Sequence, residues 1–112
     1  MIRIAICDDE KHMSDHIRAM ASDFFRKKNR EIQLRTFSSG EELLNYDGQI
    51  DILFLDIQMN GMDGLETARK LRAGKFRGFL IFITVLKEMV FQSFEVQAYD
   101  YLVKPVDEKQ FG

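Results

Sequence analysis

Hydrophobic positions along the chain fall into two alternating kinds of segment. Residues 50–56 (Ile-Asp-Ile-Leu-Phe-Leu-Asp) and Phe79–Thr84 (Phe-Leu-Ile-Phe-Ile-Thr) are almost continuously apolar. Short apolar runs without polar alternation read as strands buried on both faces. Ile2–Cys7 reads as a first strand of the same kind. Ile32, Leu34 and Phe37 mark a short second strand, and Ala98–Val103 a fifth. Between them the spacing turns helical. Met13, Ile17, Met20, Ala21, Phe24 and Phe25 predict an amphipathic helix over roughly residues 12–28. Ser39-Gly40-Glu41-Glu42 has the form of a capping box and opens a brief helix over Leu43 and Leu44, followed by a turn at Asp47-Gly48. Leu65, Ala68, Arg69, Leu71 and Arg72 carry a third helix, with Asp63 near its start and Gly74 just past its end. Met89, Val90 and Phe94 suggest a fourth. After Lys104-Pro105, residues 106–112 supply at most two turns of a fifth.

Strands that alternate strictly with helices, joined by connections too long for hairpins, imply right-handed crossovers and a parallel sheet. Five strands in 112 residues fit one α/β domain over residues 1–112. The expected architecture is a flavodoxin-like, doubly wound sheet of order 2-1-3-4-5. Its switch point lies between strands one and three, outside the carboxyl ends of the strands, where open α/β sheets bind their ligands.

Composition narrows the function without naming it. Hydrophobic residues make up 46% of the chain, enough for a core. The net charge is −2 and the basic residues are scattered, so direct nucleic-acid binding is not expected. The one basic tract, Arg26 to Arg30, falls where a helix should end and where cations favour its dipole. A single cysteine, Cys7, excludes an internal disulfide and reads as core. His12 and His16 share a helix face, but with no third soft ligand at hand they read as solvated. No apolar run is long enough to span a bilayer, so a cytoplasmic protein without membrane contact is expected.

The order of strands brings particular chemistry together. Strand one stops at Asp8-Asp9-Glu10 and strand three at Asp56, so the fold places Asp8, Asp9 and Asp56 side by side. Thr84 and Lys104 end strands four and five on the same edge. Two carboxylates ~5 Å apart repel by about 3 kcal/mol at an effective dielectric of about 20. Such a site calls for a small hard cation, Mg²⁺ or Mn²⁺. With Asp8 and Asp9 on the cation, Asp56 is left to act as a nucleophile on phosphorus, while Lys104 and Thr84 answer charge on the phosphoryl oxygens. A haloacid-dehalogenase-like phosphatase also uses an Asp nucleophile and Mg²⁺. That family resembles Asp-x-Asp after its first strand, whereas here Asp8 and Asp9 are adjacent. A nucleotide-binding turn would need glycines in place of these acids.

Asp8-Asp9, Asp56 with Met62-Asp63-Gly64, Thr84 and Tyr101-Leu102-Val103-Lys104-Pro105 together resemble the receiver domain of two-component response regulators, a CheY-like fold. The resemblance covers nearly the whole chain. It implies that Asp56 is the phosphoacceptor, supplied by a phosphohistidine on a sensor histidine kinase. It implies Asp9 as a direct Mg²⁺ ligand, Asp8 largely through water, and the Gln58 backbone carbonyl as a further ligand. Thr84 and Tyr101 would be a coupled switch pair, and Lys104-Pro105 a cis peptide. Residues 94–101 are similar to receivers attached to LytTR-type DNA-binding domains, implying transcription regulation through an output domain that these 112 residues do not include. A phosphorylation-independent receiver, working by protein contact alone, would be expected to lack one of the five chemical residues; all five are present.

Two positions depart from the family pattern. Asn60 stands where proline is usual, which should loosen the loop after Asp56. Val85 follows Thr84 where Ala or Gly is commoner, and its bulk could shield a phosphoryl group from water. The short run after Pro105 also leads to an expectation of self-association into a homodimer, with a partner covering the sheet face that a full fifth helix would otherwise cover.

Overall fold

A computed structural model describes residues 1–84 and 100–103, the last five of these by their backbone. The elements follow in the order β1 (Ile2–Cys7), α1 (Lys11–Lys27), β2 (Ile32–Phe37), α2 (Gly40–Leu44), β3 (Ile52–Asp56), α3 (Gly64–Ala73), β4 (Phe79–Thr84) and β5 (Asp100–Val103). All pairings are parallel, in the order β2-β1-β3-β4-β5. This is the doubly wound sheet expected from the sequence. The expected fourth helix, the Lys104-Pro105 peptide and residues 106–112 fall outside the described residues.

Alternate strand residues feed two cores, one on each face. Ala5, Cys7, Leu53, Leu55, Leu80 and Phe82 pack with Leu43 of α2 and with Leu65 and Ala68 of α3. Ile4, Ile6, Phe54 and Ile83 pack with Ile17 of α1. Burial on both faces is why β3 and β4 are apolar up to the residue that ends each, and why β1 is apolar apart from the exposed Arg3 near its start. The edge strand β2 alternates between half-buried and exposed positions over most of its length.

Boundaries deviate from the sequence reading where side chains intervene. β3 begins at Ile52 rather than Ile50, because Asp51 uses its carboxylate to accept the Arg3 amide at 2.7 Å. β5 is described from Asp100, two residues inside its expected start. The capping box is half formed: the Ser39 hydroxyl accepts the Glu42 amide at 3.0 Å, but the Glu42 carboxylate accepts the Ser38 hydroxyl instead of returning to Ser39. The basic tract does close α1, with Arg26 and Lys27 in its last turn, both paired with Asp23.

Asp63 caps α3, its side chain accepting the Glu66 amide at 2.8 Å. Asp63→Ala should therefore cost about 1 kcal/mol, seen as a lower urea midpoint with an unchanged slope.

Candidate functional site

β1 and β3 are neighbours, with Cys7 in register with Leu55, so Asp8 and Asp56 are the next residues on adjacent strands. Both are almost wholly buried, at 2% and 1% exposure. The Asp8 amide is held by the Phe37 carbonyl at 3.1 Å, and the Ile57 amide by the Ile83 carbonyl at 3.1 Å. The backbone on either side of the two acids is thus fixed by the sheet. Asp56 is in register with Ile83, and Thr84 with Val103. Thr84 and the end of β5 therefore reach the same carboxyl edge. Lys104, one residue beyond, lies outside the described residues.

The carboxylate oxygens of Asp8, Asp9 and Glu10 come within 4.8 Å of one another. One oxygen each of Asp8 and Asp9 is tied to the main chain: Asp8 Oδ1 accepts the Glu10 amide at 2.9 Å, and Asp9 Oδ2 accepts the Asn60 amide at 3.0 Å. Asp8 Oδ2 and Asp56 Oδ2 are shut off from solvent. Asp8 and Asp9 also line a cleft of about 310 Å³ between the start of α1 and the β2–α2 turn. Several carboxylates gathered with part of their charge out of water, and offering oxygen donors alone, suit a hard divalent cation.

Cys7 senses the same field. Its thiol is pushed up to about 12, first by burial and then by the negative charges of Asp8, Asp56, Glu42 and Asp9. It donates to the Ser39 carbonyl at 3.3 Å and touches the Met59 sulfur at 3.7 Å. The core assignment of Cys7 therefore holds. In native protein at pH 8 it should resist maleimide, and it should react fully once the chain is unfolded in guanidinium. Labelling of native protein at the unfolded rate would contradict this burial.

The loop after Asp56 is better anchored than its polar sequence suggests. Ile57 and Met59 are buried, and Gln58 and Asn60 are exposed. The Gly64 amide donates back to the Ile57 carbonyl at 2.8 Å. A Cβ on Gly64 would land 2.7 Å from Ile57 Cα and 2.9 Å from the Asp56 carbonyl carbon, closer still to the Asp56 carbonyl oxygen. The start of α3 thus presses against the backbone of Asp56 and is open only to glycine. In the sequence Gly64 stands out only as part of the Met62-Asp63-Gly64 motif. A glycine at the first position of a helix, where it is a poor helix former, was the available signal. Glu10, which in the sequence only ends an acidic run, stands in the structure within the donor cluster.

Residues 4–111 match the response regulator receiver domain family. The chain belongs to that family. It is 30% identical to the sensory transduction protein LytT of Bacillus subtilis over 112 residues, covering 98% of this chain and 45% of LytT. It is 33% identical to the transcriptional regulatory protein BtsR of Escherichia coli, covering 96% of this chain and 44% of BtsR. The receiver thus spans less than half the length of these relatives. In three dimensions it is similar to response regulator protein TrrA of Thermotoga maritima, solved in complex with Mg²⁺ and BeF, with 29% identity and a TM-score of 0.76 over 99% of this chain and 93% of that one. These relatives agree with the LytTR-type receiver expected from residues 94–101 and give no support to a phosphatase. No helix among the described residues is long and apolar enough to cross a membrane.

Proposed function

We propose that this receiver takes a phosphoryl group onto Asp56 from a phosphohistidine of a sensor histidine kinase. The observation that carries this reading is the burial of Asp56 at the end of β3, on the strand next to Asp8 and beside the acidic cluster. In the transfer an Asp56 oxygen forms the new P–O bond as the P–N bond to the histidine breaks. The bonding pair stays on the imidazole, which takes up a proton. The carboxylates of Asp8, Asp9 and Asp56 and the Gln58 carbonyl would hold Mg²⁺ or Mn²⁺, which would supply positive charge against the phosphoryl oxygens.

The Asp8 backbone is held by the sheet, and one oxygen each of Asp8 and Asp9 accepts a main-chain amide, so both carboxylates stand at the cluster before a cation arrives. Lys104, which follows the last residue of β5, would neutralise a second phosphoryl oxygen, and the Thr84 hydroxyl would donate to a third. Thr84 moving toward the phosphoryl group would let the Tyr101 ring follow, carrying the signal to β4 and β5. In this reading the chain turns over no outside substrate and catalyses only its own phosphorylation and dephosphorylation. The names of LytT and BtsR support a sensory input and a transcriptional output for the full-length protein, with any DNA contact made outside this domain and the chemistry taking place in the cytoplasm.

The test is the intact mass after incubation with acetyl phosphate and Mg²⁺. A gain of about 80 Da, one phosphoryl group, that disappears when EDTA is added beforehand supports the reading. Labelling undiminished by EDTA contradicts it.

A further inference from the structure

The Asn60 amide donates to Asp9 Oδ2 at 3.0 Å, across 51 positions of sequence. Asp8 is tied differently, by the amide two residues along its own turn. The Asp9 tie thus joins the acidic cluster to the loop that follows Asp56. We propose that the Asn60 N–H competes with the divalent cation for Asp9, so that residue 60 sets the cation affinity of the site. The inference rests on the cation-dependent reading above.

The competition follows from charge and position. The positive end of the Asn60 N–H dipole points at one oxygen of the carboxylate that would ligate the cation, and lowers the electron density this carboxylate can offer. Charge-assisted hydrogen bonds of this kind are stronger than neutral ones, so this bond stabilises the cation-free site. The loop can release it at little cost in packing, because Asn60 is exposed while its neighbour Met59 is buried and stays anchored against Cys7. At Asp8 the donor to Oδ1 is local, and Oδ2 is buried.

Proline at position 60 removes the N–H, whereas alanine keeps it. In calorimetric titrations with MgCl₂, Asn60→Pro should bind Mg²⁺ roughly three- to tenfold more tightly than wild type, the range left after solvent weakens an exposed bond to a charged group. Asn60→Ala should stay within about twofold of wild type, since its amide is unchanged. Amide exchange in wild type gives a second readout that needs no folded proline variant: the Asn60 N–H should be protected without cation and exchange faster at Mg²⁺ saturation. An Asn60→Pro affinity no higher than that of Asn60→Ala overturns the inference, as does Asn60 protection that persists at saturation. Wild type that binds no Mg²⁺ at millimolar concentration would instead overturn the cation-dependent reading itself.

Discussion

Replacing Asp56 with asparagine should abolish phosphoryl labelling and leave the sheet folded. The side chains are nearly isosteric, so the 1%-exposed position keeps its packing. What changes is the nucleophile. The amide nitrogen lone pair is delocalised into its carbonyl, and the anionic oxygens that attack phosphorus are gone. The substitution also removes one negative charge from beside Asp8, where like charges ~5 Å apart cost about 3 kcal/mol. The variant should therefore melt at or above the wild-type temperature. Folded but unlabelled protein is the expected outcome. Labelling equal to wild type would move the phosphoacceptor elsewhere, with Asp8 and Asp9 the nearest alternatives.

Gly64→Ala should be the most damaging single methyl that can be added near the site. Its Cβ would meet backbone at Ile57 Cα and at the Asp56 peptide, and backbone cannot swing aside as a flexible side chain could. Either α3 backs away, losing the Gly64-to-Ile57 hydrogen bond, or the Asp56 peptide shifts. Overpacking of this kind costs about 1–3 kcal/mol, and the shift of a reacting carboxylate by ~1 Å can slow chemistry by about a hundredfold. Both a lower melting temperature and slower labelling are expected. Gly74→Ala is the control. There a Cβ meets the Leu71 and Lys70 carbonyls at 3.5 Å, ordinary contact, and φ is −82°. That variant should be within about 1 kcal/mol of wild type and label normally.

These two glycines show where sequence reading works and where it stops. Gly74 ends a helix, and its role is written in the local pattern. The constraint on Gly64 comes from Asp56 and Ile57, on another element, and no periodicity encodes it. The same division runs through the rest of the molecule. Strands β1, β3 and β4 were legible because burial on both faces demands continuous apolar runs. Asp8 and Asp56 were legible because the strand order makes adjacent ends meet. The capping role of Asp63 was legible too, since a cap acts within its own turn. The loop between Asp56 and α3 was not. Its anchors are Met59 on Cys7 and the Asn60 amide on Asp9, long-range contacts made by residues whose sequence reads only as a turn. The departure from proline at position 60 suggested a looser loop, yet the N–H it restores ties the loop to Asp9 in the cation-free site.

The central claim is that one side chain, Asp56, carries the phosphoryl group. An acyl phosphate is reduced by borohydride to an alcohol, so trapping labelled protein this way and sequencing its peptides by mass spectrometry reads the modified position directly. Homoserine at position 56, formed only when both phosphodonor and Mg²⁺ were present, is the result this account predicts. Homoserine at position 8 or 9 with Asp56 intact, or conversion at 56 that does not depend on Mg²⁺, would contradict it.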